Sequence, residues 1–411
     1  ATTEGDNALA LDARIAGLLL EPLGRAEEAL QAARRVLDVA PADVGALDVV
    51  RRVLKVPGLA AQAAAVLEQV AAGSDDPGAR AAVLDSLLAL DAAGGELTEA
   101  RERWFLQLLE CREGDPEGSL AVALRGAQEH PGAEELWTAA ERIARRLDRP
   151  GPVADAYAAV LDTDLSSDLA ESVGRRMVEF YEEWFEDPDR VVGLLKRVLE
   201  LAPAADWAFD RLKLAFNGAA RWAELFALYD RALARTPSDP DRVVLLREAA
   251  MAAKDFAADA PRAIGYLEQL NWLVPGDGAV EGTLERLYER EGMLRALIEL
   301  FTRRLPRVEP AERQELRRRI AELWIAVGDA LPAFEILNEM RLEPEAGEET
   351  YRLIERVIEL DTARSSIAPA SKPRRGKQAS VREVGAGLLR EYYERAGRIA
   401  DVARMLEVGL D

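Results

Sequence analysis

Cysteine and histidine each occur once in this 411-residue chain, as Cys111 and His130. One cysteine excludes an intrachain disulfide framework and any multi-cysteine zinc site. One histidine excludes paired-imidazole metal centres, and a Ser-His-Asp triad would have to run through it. Cys111 closes the apolar stretch LLEC and reads as a buried, inert thiol. His130, in QEHPG, reads as a turn or capping residue near a helix C-terminus, where a cation is favoured. Lysine is scarce too: six lysines stand against 47 arginines. That bias, with abundant alanine, suggests a GC-rich bacterial genome, so a single arginine carries little weight.

Long apolar runs are missing. AGLLLEPL is broken by Glu21 and Pro22, and no stretch approaches the ~18 residues a spanning helix needs. No membrane insertion is expected. The chain opens ATTEGDNALAL with no initiator Met and no basic-then-apolar leader, and reads as an internal fragment. Its compartment reads as cytoplasmic, with periplasm or export left open. Phosphate-loop chemistry is absent as well. The one Gly-Lys pair, in RRGKQAS, has Ser371 where the first loop glycine belongs and Gln378 after the lysine. No G-x-S-x-G, H-E-x-x-H or calcium loop occurs. The expectation is therefore no enzyme, with no catalytic, cofactor-binding or metal residues.

What is present is charge and helical periodicity. The formal charge of −21 argues against general nucleic-acid binding, which uses a basic face. At 49% apolar and 31% charged, the composition is that of an ordinary folded chain. No sustained period-2 alternation occurs, and valines fall at helical spacing, so the chain is all-α. In EFYEEWFEDPD the acids Glu179, Glu182, Glu183, Glu186, Asp187 and Asp189 read as a solvated face. Phe180, Tyr181, Trp184 and Phe185 form its apolar side.

The sequence repeats. Shifted by 72 places, Pro131, Pro203 and Pro275 fall in register, as do Tyr157, Tyr229 and Phe301. Pro116 maps to Pro188, Arg190 to Arg262, and Leu225 to Leu297. Four helices per period make two hairpins of about 36 residues, and such periods mark solenoids. A right-handed α-solenoid of stacked antiparallel hairpins is expected. Its parts are a disordered 1–7, irregular repeats over 8–115 with an extra helix near 78–93, and regular repeats over 116–361. A flexible basic insertion at 362–380 and closing helices at 381–411 follow.

The second helix of each hairpin carries a resemblance. AEEALQAARRVLDVAP and DRVVGLLKRVLELAP are similar to the second helix of tetratricopeptide repeats, with a small residue, an aliphatic pair and a closing proline. The first helices depart from that pattern; Trp137 and Tyr181 are partial survivors. The closer likeness is to divergent repeats of very large bacterial repeat proteins. This resemblance implies a scaffold whose curved surface assembles protein or peptide partners without catalysis. With four asparagines in the chain and no recurrent pair, a carboxylate clamp is not supported.

Candidate contact residues are the recurring arginines Arg142, Arg145, Arg146, Arg175 and Arg176, a possible ladder for an acidic peptide. Arg247, Arg317, Arg318 and Arg319 continue the series, and a solvated face paired to nearby Glu competes with the ladder. The second candidate set is Arg364, Lys372, Arg374, Arg375 and Lys377, a local +5 with no acid. It reads as a surface insertion or as a basic tether for an acidic surface. The tether would support an RNA-associated role as the alternative. A structural segment of a much longer array is the third reading, with self-association through the array ends.

Overall fold

The computed structural model describes residues 2–89, 98–343, 347–367 and 380–410. Of residues 2–8, 98–99, 363–367 and 409–410 it describes the backbone alone. Among the described residues there are α-helices and short helical turns, and no strand. The chain divides into two compact units, Ala1–Ala219 and Ala220–Asp411.

The first unit opens with α1 (Thr2–Leu20), α2 (Ala26–Leu37), α3 (Val44–Val53) and α4 (Ala60–Gly73). Next come α5 (Pro77–Leu88), α6 (Thr98–Cys111), α7 (Pro116–Glu129) and α8 (Glu134–Leu147). It ends with α9 (Gly151–Leu161), α10 (Ser167–Trp184), α11 (Pro188–Leu201) and α12 (Asp206–Gly218). The second unit begins with α13 (Trp222–Arg235), α14 (Asp239–Met251), a π-helical turn at Ala252–Phe256, and α15 (Ala260–Leu273). Then follow α16 (Gly278–Glu291), α17 (Leu294–Arg304) and α18 (Pro310–Val327). It closes with α19 (Ala330–Met340), α20 (Glu348–Ile367), α21 (Val381–Arg395) and α22 (Ile399–Leu410).

Two expected boundaries move. Residues 2–7, expected to be disordered, lie in α1, and residues 362–367, expected in the insertion, lie in α20. The rest of that insertion up to residue 379 lies outside the described residues. The helix expected near 78–93 appears as α5, with residues 90–97 outside the described set.

The local causes of the helices recur along the chain. Asp115, Asp187 and Asp259 sit 72 residues apart and each caps a helix N-terminus. Their carboxylates accept from the backbone N–H of Gly118, Arg190 and Arg262 at 3.0, 3.0 and 3.1 Å. Each such cap satisfies an orphan donor and is worth about 1 kcal/mol. The helices they start, α7, α11 and α15, have 14 residues each. They end at His130, Ala202 and Val274, whose N–H groups close on Gly126, Val198 and Leu270. Pro131, Pro203 and Pro275 follow, lacking the N–H that a continued helix needs. The chain reverses there.

Helices are wide-faced because each packs against several neighbours. In α13, Leu225, Phe226, Leu228, Tyr229 and Leu233 are buried. In α8, seven residues are buried, Glu141 among them. Gly174 of α10 marks a close approach. A Cβ there would lie 2.4 Å from Val198 Cγ2 of α11, so only glycine fits without a shift. The second unit has its own closing core of Phe334, Leu337, Leu353, Ile354, Leu389 and Tyr393.

Candidate interaction surface

Antiparallel hairpins place alternate helices side by side, so side chains meet partners about one hairpin away in sequence. In the first unit this happens along α6, α8, α10 and α12. Arg176 of α10 reaches α8, where its Nε donates to Glu141 Oε1 at 2.8 Å and its Nη2 to Thr138 Oγ1 at 2.8 Å. Arg145 of α8 reaches the other way and grips Glu183 of α10 with two bonds of 2.8 and 2.6 Å. That hydrogen bond holds the Glu183 carboxyl below its ordinary pKa. Arg211 of α12 donates to Glu182 of α10. Arg175 pairs with Glu171 at 3.4 Å, and its guanidinium lies 4.8 Å from the Trp207 ring of α12.

Behind this row is a buried polar knot. Glu141 is 7% exposed, and its carboxylate also accepts from the hydroxyl of Tyr157, which is fully buried on α9. The Tyr157 ring stacks on Trp137 at 4.0 Å between centroids. Burial, reinforced by the neighbouring carboxylate, drives the Tyr157 phenol pKa well up, so it stays a donor. A buried carboxylate is tolerable only when its oxygens are satisfied, and here Arg176 and Tyr157 do so. Sequence reading missed this knot. Glu141 was legible only as an acid at a phase where Trp137 and Ile143 are buried.

The predicted arginines thus split. Arg145, Arg175 and Arg176 are engaged by Glu183, Glu171 and Glu141. So are Arg247, held by Asp277 at 2.6 Å, and Arg319, held by Glu285 and Glu289 at 2.8 Å each. Arg317 pairs with Glu343, and Arg318 with Glu315 and Glu322. Arg142 and Arg146 are different: both are exposed and neither has an ion-pair partner among the described residues. They lie on one side of a cleft of about 770 Å³ between α6 and α8. Leu106, Leu109, Ala139 and Ile143 supply its apolar floor, and Glu110, Glu113, Glu134 and Glu135 its acidic rim. Glu134, Thr138, Arg142 and Arg146 follow each other at i, i+4 spacing, one row along α8. Such a cleft offers apolar contact and two guanidiniums without ion-pair partners among the described residues.

Of the second predicted set, Arg364 falls on α20 with its side chain outside the described residues. Lys372, Arg374, Arg375 and Lys377 also lie outside them. Cys111 departs from expectation: it is half-exposed rather than buried, and partial burial raises its thiol pKa. His130 does cap a helix C-terminus, but burial lowers its pKa and opposes the cation expected there. Its ring packs edge-on to Phe105, 6.1 Å between centroids. The acid run at the end of α10 is exposed as expected, with Phe180 and Tyr181 buried behind it, and Glu182 and Glu183 are in addition held by arginines. Among the described residues, no group of three His, Cys, Asp or Glu side chains could hold a metal ion. No described helix is long and apolar enough to cross a membrane.

No protein-family model matches the chain, and no curated protein matches it. Solved structures similar to it include a tetratricopeptide repeat protein from Parabacteroides merdae. That likeness has 14% identity over 64% of this chain and 100% of the other, with a TM-score of 0.23. Human IFIT1, solved as a dimer with PPP-AAAA, is 16% identical over 98% and 94%, with a TM-score of 0.25. Ton1535 from Thermococcus onnurineus is 13% identical over 84% and 99%, with a TM-score of 0.28. Superpositions this loose leave the architecture to rest on the chain's own helices. Those helices, with caps and closing prolines recurring at 72 residues, make the described residues an all-α helical repeat.

Proposed function

We propose that the chain is a protein-interaction scaffold and that the cleft between α6 and α8 is where it takes a partner segment. The observation carrying this reading is the contrast along one helix. Arg145 is held in a two-bond pair, whereas Arg142 and Arg146, within one turn of it, are left free beside an apolar floor. Paired arginines hold hairpins together; unpaired ones over a cleft can serve a ligand. A segment bearing carboxylates, with an apolar residue entering between Leu106 and Ile143, suits these walls.

The test is affinity capture from the source cells with wild type and with Arg142→Glu/Arg146→Glu, each with and without RNase. The reading expects a protein partner held by wild type, lost from the double variant and indifferent to RNase. Equal recovery by both forms would sink the cleft. RNase-sensitive recovery would instead favour an RNA-associated role, and in that case deletion of residues 368–379 is the decisive variant.

A further inference from the structure

One device repeats in the first unit and is dismantled in the second. A helix ends with carbonyls that lack intrahelical donors. In the first unit, the helix that follows one hairpin later supplies a guanidinium to them. Arg125 of α7 donates to the carbonyl of Leu88, the last residue of α5. Seventy-two residues on, Arg197 of α11 donates to the carbonyl of Leu161, the last residue of α9, at 3.1 Å. Each arginine is steadied by a carboxylate on its own helix, Glu129 at 2.9 Å for Arg125 and Glu200 at 3.3 Å for Arg197.

Another 72 residues on, the register reaches α15 and the arginine is gone. Gln269 stands in its place and folds back to donate to Gly265 O at 3.2 Å. The last-turn carbonyl of Leu233 on α13 is served by Arg242 of α14, at 3.3 Å. The place of Glu200 is taken by Trp272, which is 78% exposed and has no aromatic or cationic partner among the described residues. A notch of about 390 Å³ results, lined by Pro237, Asp239, Arg242, Gln269, Trp272 and Leu273. Asp239 has no ion-pair partner among the described residues.

We infer that this notch receives an arginine side chain presented by a partner polypeptide. At the two equivalent places the arginine comes from the helix one hairpin later; at the third, Arg242 of α14 serves the carbonyl from the other side, and the α15 position is left to Gln269. With Arg242 turned to the Leu233 carbonyl, the rest of the notch offers an exposed indole, a carboxylate without an ion-pair partner and a side-chain amide, the groups that take a planar cation by stacking and hydrogen bonding. The same molecule uses that stacking internally: Arg175 lies over Trp207, and Arg262 lies 4.9 Å from the Phe226 ring centroid. The net charge of −21 draws a cationic segment in. This inference concerns the second unit and does not depend on the α6–α8 cleft.

The probe is acetyl-Gly-Arg-Gly-amide, titrated into protein labelled with nitrogen-15 at tryptophan, with lysine and citrulline versions as controls. The seven indole N–H signals are followed, and Trp272→Glu identifies the one from Trp272. A saturable shift of the Trp272 signal is expected, with the arginine peptide bound roughly five-fold more tightly than either control. Asp239→Asn should weaken it several-fold. Gln269→Arg, which restores the repeat, should abolish it with an unchanged circular dichroism spectrum. Equal response to lysine, which would mean charge alone, overturns the inference, as does equal response to citrulline. So does a full response in Gln269→Arg. A Trp272 shift that depends on protein concentration without peptide would assign the notch to a second copy and overturn it too. Should Gln269→Arg fail to fold, loss of the arginine preference in Trp272→Glu, read by calorimetry, decides the matter.

Discussion

Arg145 and Arg146 are neighbours in sequence on α8, yet they belong to different parts of the molecule. Arg145 joins Glu183 of α10 beside the buried Glu141, so it is part of what holds successive hairpins in place. Arg146 stands with Arg142 at the α6–α8 cleft and has no such partner. Successive residues of an α-helix are turned by about 100°, and that rotation separates a packing face from a presenting one. A helical repeat can therefore put stability and recognition on one helix without mixing them. Substitutions on the two faces should then separate folding from binding.

The largest effect is expected at the packing face. Glu141→Ala removes the acceptor for both Arg176 Nε and the buried Tyr157 hydroxyl. Breaking one side of a buried pair costs about 3 kcal/mol, because the surviving charge is left uncompensated. The midpoint of urea unfolding should fall accordingly, and Glu141→Gln, which keeps an acceptor oxygen, should fall less. If the two variants unfold at the wild-type midpoint, the knot contributes nothing and the distinction between the faces fails. Arg145→Glu comes next. It places a third acid beside Glu183 and Glu141, but in a half-exposed setting where solvent screens the repulsion, so about 1 kcal/mol is expected. Raising the salt concentration should recover part of that loss, which a packing defect would not show.

Much of the fold was legible in the sequence and little of the site was, for a physical reason. Helices announce themselves locally: Asp187 before Pro188, or Pro203 after Ala202, acts through backbone groups a few residues away. Those signals fall in register, so the repeat could be read directly. The fate of an arginine is settled between helices. Arg176 finds Glu141 across 35 residues and Arg145 finds Glu183 across 38. Nothing near Arg146 in the chain says that it lacks such a partner. A signal did exist for Trp272, since a tryptophan stands where the preceding period has Glu200. Its meaning depended on knowing that Arg197 beside Glu200 reaches the Leu161 carbonyl.

The smallest stability effect, and the sharpest use of the comparison, belongs to the presenting face. Arg142→Glu/Arg146→Glu reverses two exposed charges that no described carboxylate engages. Surface changes away from caps and buried pairs usually stay within about 0.5 kcal/mol per site. The double variant should therefore unfold within about 1 kcal/mol of wild type while losing its partner. Neighbouring Glu134 and Glu135 make the reversal somewhat unfavourable, so a slight loss that shrinks with added salt is the expected detail. A loss as large as that of Glu141→Ala would mean that Arg142 or Arg146 is structural after all. The cleft would then be packing rather than a place for a ligand, and α8 would have a packing face and no presenting one.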